Sequence, residues 1–191
     1  MQIPIYVPDG TSGKWEISTF TILENDTAFK IYNLRETFKG THRYILPGTY
    51  KKLTKDGHVI MSNTPAEIED HIIFFNNAKN SKIVLINGLG LGMVVKKLLD
   101  NGVVEEIIVI EKSQDVINLV APSYKDEKKV TILHADAFTY KPPKGKKYDA
   151  VWHDIWPSIC GDNLPEMDKL HRKYSRRTKW QGSWAKDLCS D

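Results

Sequence analysis

The chain has 191 residues, a hydrophobic fraction of 41%, a charged fraction of 27% and a formal net charge of +3. These values fit a single globular domain with a small appendage, and the charge is too mild to nominate a polyanion partner by itself. No apolar run reaches the length of a membrane span, Met1-Gln2-Ile3-Pro4-Ile5-Tyr6 is no signal peptide, and two cysteines, Cys160 and Cys189, form neither a disulfide framework nor metal-ligand spacing. A cytoplasmic protein without a metal site or membrane partner is expected.

Residues 14–22 alternate and are rich in β-branched and aromatic types, so they read as a strand; residues 28–34 and 43–46 are further strand candidates. Residues 53–61 hold Asp56-Gly57 between two strand-like halves, the sequence of a tight hairpin. A small antiparallel β subdomain over 1–63 follows. Thr64-Pro65-Ala66-Glu67 has the form of a capping box with proline at the first helical position, and Ile68, Ile72 and Phe75 then share one helix face.

The centre of the chain is residues 83–92, Ile-Val-Leu-Ile-Asn-Gly-Leu-Gly-Leu-Gly: a buried strand, then glycines at alternate positions, then helical spacing from Met93 to Leu99. Strand, glycine turn and helix form the first unit of a nucleotide-binding α/β sheet, in which a ligand approaches a backbone without Cβ and faces the helix N–H groups. Residues 106–110 are a second buried strand that ends at Glu111, 23 residues beyond Gly88. An acid in that place accepts hydrogen bonds from ribose hydroxyls. Residues 130–134 make a third strand, leading to Asp136, Ala137 and Phe138. Asp136 either receives an adenine amine or caps the next segment. Residues 148–153 make a fourth strand ending at Asp154, a carboxylate placed to orient a substrate or take its proton. The expected core is a Rossmann-like, mostly parallel sheet over 64–160, shortened after the fourth strand.

The glycines narrow the ligand. A dinucleotide turn has its third glycine two residues later, where this chain has Met93, so Gly88, Gly90 and Gly92 favour a nucleoside cofactor without pyrophosphate, such as S-adenosylmethionine. With these residues in view, the stretch from about 56 to 156 resembles the class I S-adenosylmethionine-dependent methyltransferases, and within them the spermidine-synthase branch. The glycine motif, Glu111, Asp136-Ala137 and Asp154 carry the resemblance. It implies that Asn87, Gly88, Gly90, Gly92, Glu111, Lys112, Asp136, Ala137 and Asp154 bind the cofactor and that Asp154 serves catalysis. Residues 153–156 and 162–167 are also similar to uncharacterised phage-type methyltransferase-like proteins. In polyamine synthases a second aspartate follows closely in the loop after the fourth strand and an acidic pair marks the gate helix; here Ile155-Trp156-Pro157 follows Asp154 and Ala66 precedes Glu67. Aminopropyl transfer is disfavoured on that ground.

The last segment, 161–191, reads as a helical, basic, tryptophan-rich tail that covers a sheet edge or makes a homodimer contact. Leu164, Met167, Leu170, His171 and Tyr174 form one helix face starting near Asn163, residues 180–184 read as a turn, and a short last helix ends near Leu188. Lys169, Arg172, Lys173, Arg176, Arg177 and Lys179 are either a solvated helix face or an attraction for nucleic acid. Trp156, Trp180 and Trp184 read as seals of the sheet rather than as rings that stack on a base, and His134, His153 and His171 as structural, with His153 next to Asp154 able to assist proton transfer. Three functions remain: methyl transfer to an unidentified acceptor, aminopropyl transfer, and cofactor or nucleic-acid binding without catalysis.

Overall fold

The computed structural model describes residues 3–40 and 43–189. Strands β1 (Gly10–Ser12), β2 (Trp15–Ile22), β3 (Gly48–Lys55) and β4 (His58–Ser62) form an antiparallel sheet in sequence order. Asp56 and Gly57, both at positive φ, close the β3–β4 hairpin as their sequence requires. Helix α1 (Thr27–Lys39) lies between β2 and β3, where residues 28–34 read as a strand. Its ends explain the difference: the Asp26 carboxylate accepts from the Ala28 N–H, and Gly40 closes the helix in the left-handed region. Residues 43–46 are irregular rather than a strand.

The expected helix after Thr64 is two short ones, α2 (Pro65–Glu69) and α3 (Ile72–Ala78), parted at Asp70 and His71. The Thr64 hydroxyl meets that of Ser62 at 2.9 Å instead of capping, so the capping box does not form. Next come β5 (Ile83–Asn87), α4 (Met93–Asp100), β6 (Glu106–Glu111), α5 (Gln114–Val120), β7 (Val130–His134), β8 (Tyr148–His153), α6 (Leu164–Tyr174) and β9 (Thr178–Ser183). The second sheet is parallel throughout, in the order β7-β6-β5-β8-β9.

Strand β9 corrects two expectations: the sheet has a fifth strand, and residues 180–184 are not a turn. Gly182 disguised it. A Cβ there would lie 2.7 Å from the Trp180 ring and 2.9 Å from the Trp152 ring, so the glycine admits two indoles into one space rather than bending the chain. The tail is therefore not helical alone. Its helix α6 does bury Met167, Leu170 and Tyr174, but Asn163 donates to the Ser158 carbonyl at 2.7 Å rather than capping it.

Alternation along β5 sorts the core into two layers. Val84 and Ile86 pack with Ile107, Val109, Ala150 and Trp152, and in the same cluster with Ile17, Leu53 and Met61 of the antiparallel sheet. Leu85 packs with Ile108, Val151 and Tyr174 under α6. Among the described residues no helix is long and apolar enough to cross a membrane.

The turn after β5 is fixed by sterics. A Cβ on Gly88 (φ +100°) would stand 1.9 Å from the Asp154 carbonyl oxygen, and one on Gly92 (φ +74°) 2.6 Å from the Tyr124 hydroxyl. Gly102, also at positive φ, has nothing within 4 Å of that position. Gly102→Ala therefore costs about 1 kcal/mol of backbone strain, whereas Gly88→Ala costs more than about 2 kcal/mol because β8 must also move. Urea unfolding of the two variants checks the difference.

Candidate functional site

Register gathers the site. Asn87 pairs with both Ile110 and His153, Glu111 with His134, and His153 with Ser183. The chain positions that follow these pairs therefore leave the sheet at one end, where ligands of open parallel sheets sit. A crevice of about 590 Å³ lies there. Its β6–β7 side carries Glu111, Lys112, Asp136, Ala137 and Phe138, its β8–β9 side Asp154, Trp156, Glu166 and Trp184, and its floor Gly88 and Gly90. Trp15, Leu53, Lys55, Ile60 and Met61 of the antiparallel sheet form a further wall.

Glu111 is held from two sides. The Leu89 N–H of the glycine turn donates to its Oε2 at 2.9 Å and the Ser113 N–H to its Oε1 at 2.7 Å. Bonds to backbone amides fix the carboxylate in place, and its oxygens keep acceptor capacity for a diol. Asp136 does two things: it accepts from the Phe138 N–H at 2.7 Å and pairs with Lys112 at 2.8 Å. Lys112 first, helped by the Phe138 amide, holds its carboxyl below the ordinary range against the opposing effect of burial. Capping and crevice lining thus coincide in one residue.

Asp154 has a partner that sequence spacing does not reveal. His71, fully buried at the α2–α3 junction, lies with Nε2 3.0 Å from Asp154 Oδ2 and Nδ1 2.8 Å from the Glu67 carbonyl oxygen. Burial pushes the imidazolium down, but the bond and charge of Asp154 and the charge of Glu67 more than offset it and raise His71 to about 9. His71 is then doubly protonated at neutral pH and donates at both nitrogens. The Glu67 side chain also lines the crevice, and burial pushes it up to about 7 against the pull of His71. Asp70, buried one residue before, is paired with Arg43. The one available signal was the Glu67-to-His71 spacing of four, which puts both on one helical face.

Three sequence assignments change. Asn87 shares the α6 face with Leu85; its amide donates to His153 Nδ1 at 2.7 Å and its side chain is absent from the crevice lining. Gly92 packs against Tyr124 and is not part of the crevice lining. His153 is buried beside Asn87, pushed down to about 3 chiefly by burial, and stays neutral on the far face from Asp154. The histidine that serves Asp154 is His71. Among the described residues no three His, Cys, Asp or Glu side chains are placed to hold a metal ion.

No family model matches the chain, and no curated protein matches it in sequence. Solved structures do match in shape. A spermidine synthase of Thermotoga maritima is 17% identical, with a TM-score of 0.53 over 91% of this chain and 52% of that one. The likeness is one of fold. Two methyltransferases match less of the chain: CcbJ of Streptomyces caelestis (18% identity, TM-score 0.45, 58% of this chain and 44% of that one) and the N-methyltransferase NodS of Bradyrhizobium japonicum in complex with S-adenosyl-L-homocysteine (10%, 0.47, 59% and 56%). The chain spans about half the length of these structures. The Rossmann-like architecture with a separate small antiparallel sheet is thus shared with the spermidine synthase.

Two buried groups bind more protons in the folded state than in the unfolded one. Glu67 does so between its ordinary 4.5 and about 7, and His71 between its ordinary 6.5 and about 9. Stability therefore falls as pH rises through both windows: what His71 contributes is fully present below 6.5 and lost by about 9. Chemical unfolding at a series of pH values should show the decline, and His71→Gln should flatten its upper part.

Proposed function

We propose that the crevice binds S-adenosylmethionine and that the chain transfers the methyl group to an acceptor held beside Asp154. The observation that carries this reading is Glu111, fixed by the Leu89 and Ser113 amides at the mouth of a glycine turn, with Asp136 in the loop after the next strand and Asp154 across the turn. The donor set fits an adenosyl group: Glu111 would take the ribose hydroxyls, and Asp136, Ala137 and Phe138 would flank the base. The bound cofactor supplies an activated methyl on a positively charged sulfur, so little covalent help is required of the protein.

The chain's own residues then align and deprotonate. His71 donates to one oxygen of Asp154 and fixes its rotamer, leaving the other oxygen to orient the acceptor. An N–H or O–H acceptor gains the methyl and loses a proton. Glu67, raised to about 7, is matched to receive that proton near neutral pH. Trp15, Trp156 and Trp184 line the crevice and keep water from the reacting centre.

A second reading, aminopropyl transfer to an amine, is favoured by one observation. Glu67, Asp154 and Glu166 meet on the crevice lining, so carboxylates do gather there although the sequence lacks the usual acidic pairs. Either reading makes an amine the best-matched acceptor, bound as its cation among the carboxylates and deprotonated before it attacks.

Calorimetric titration with S-adenosylmethionine, S-adenosylhomocysteine and decarboxylated S-adenosylmethionine separates the readings. Methyl transfer predicts preference for the carboxylated forms and aminopropyl transfer the reverse; binding of none of the three contradicts both. Glu111→Ala should weaken the preferred ligand about 10- to 100-fold, the worth of hydrogen bonds to a charged group. Asp154→Asn should leave affinity within a few-fold and slow transfer by about 100-fold or more.

A further inference from the structure

A second cavity of about 610 Å³ lies at the other end of the parallel sheet, before β8 and β9 begin. It is lined by Lys146 and Lys147 from the loop before β8, by Arg172 and Lys173 from the last turn of α6, and by Arg176 and Arg177 from the turn into β9. Only Gly145 and Ser175 complete the lining; no carboxylate and no aromatic ring takes part. Since the net charge of the chain is +3 and six cations stand here, the rest of the molecule is net acidic. Strand β8 begins beside this cavity and ends at the crevice, and Lys173 reaches from the one lining to the Ala137 carbonyl of the other.

The cavity is built, not merely a spray of surface lysines. Arg177 Nη1 donates to the Pro143 carbonyl at 3.2 Å and the Arg177 carbonyl accepts from the Tyr148 N–H at 2.8 Å, tying the two walls together. Lys147 donates to the Arg176 carbonyl, and Lys173 is anchored on the Ala137 carbonyl at 2.6 Å. Among the described residues Lys146, with Glu106, is the one of the six in an ion pair. The Arg172 and Arg176 side chains are exposed and make no hydrogen bond or ion pair among the described residues; Asp168, which feels the charge of Arg172, is bridged to Lys186. A helix C-terminus carries about half a negative charge, so six cations far exceed what α6 needs.

We propose that this cavity binds the phosphodiester backbone of a nucleic acid. Arginines present planar forks that match phosphate oxygens, and a concavity of this volume exceeds the needs of one small anion. The lining has no ring to stack on a base, so contact is with backbone phosphates and recognition is independent of sequence. No hydrophobic side chain takes part in the lining, which removes the apolar anchor that a membrane-surface site uses. This inference does not depend on which group transfer the crevice performs.

The test is fluorescence anisotropy of the whole chain with labelled duplexes of about 20 base pairs, in two unrelated sequences, over roughly 50–200 mM salt. The expected result is equal affinity for both sequences and a steep linear fall of log K with log salt. Arg172→Ala/Arg176→Ala removes two exposed side chains with no bonds to the fold, so circular dichroism melting should be unchanged. The double variant should bind about tenfold or more weakly at low salt, with a salt slope shallower by about two phosphate contacts. Absence of binding by the parent chain at the lowest salt would overturn the proposal. So would equal affinity and slope in the variant, or binding to phosphatidylserine vesicles without binding to nucleic acid.

Discussion

Strands β5 and β8 emerge from the sheet so close together that no side chain fits between them. The carbonyl of Asp154 occupies the place of a Cβ on Gly88, and the Asp154 N–H donates to the Asn87 carbonyl at 2.8 Å. That contact sets how the glycine turn departs, and the departing turn presents the Leu89 amide to Glu111. The same turn rests on the antiparallel sheet: a Cβ on Gly90 would lie 2.4 Å from the Met61 sulfur, which also accepts from the Leu91 N–H at 3.4 Å. The glycines are therefore dictated by protein packed against protein. A ligand surface at Gly88 and Gly90 is the consequence.

The crevice is electrostatically divided from the rest of the molecule. Five carboxylates, Glu67, Glu111, Asp136, Asp154 and Glu166, line it against two lysines. Backbone amides, Lys112, His71 and the Trp156 indole N–H each hold one or more of them in place. At the opposite end of the sheet the lining is cationic. A molecule with one acidic and one basic concavity offers two different partners two different places, with the parallel strands as a rigid spacer between them.

Much of this is legible before any coordinates. Strands β5, β6, β7 and β8 are apolar runs of the right length, and their ends give Glu111, Asp136 and Asp154 directly, because a parallel sheet collects strand C-termini. Asn87 was legible too: counting by two along β5 puts it with Leu85, away from the crevice. Strand β9 was hidden because a glycine that makes room for Trp152 and Trp180 resembles a glycine that makes a turn. Helix α1 was hidden because it leaves Ile31, Leu34 and Phe38 exposed, so its composition is strand-like and only Asp26 and Gly40 mark it. His71 lies 83 residues before Asp154, and no local pattern links two positions so far apart. Only the packing of α3 on β8 brings them together.

The central claim is that the acidic end of the sheet is a nucleoside site organised by Glu111. A crystal structure of the chain grown with S-adenosylhomocysteine tests it most directly. The account predicts the ribose hydroxyls within hydrogen-bond distance of Glu111, with the sulfur turned toward Asp154. Density for the ligand elsewhere, or a ribose that makes no contact with Glu111, would contradict it.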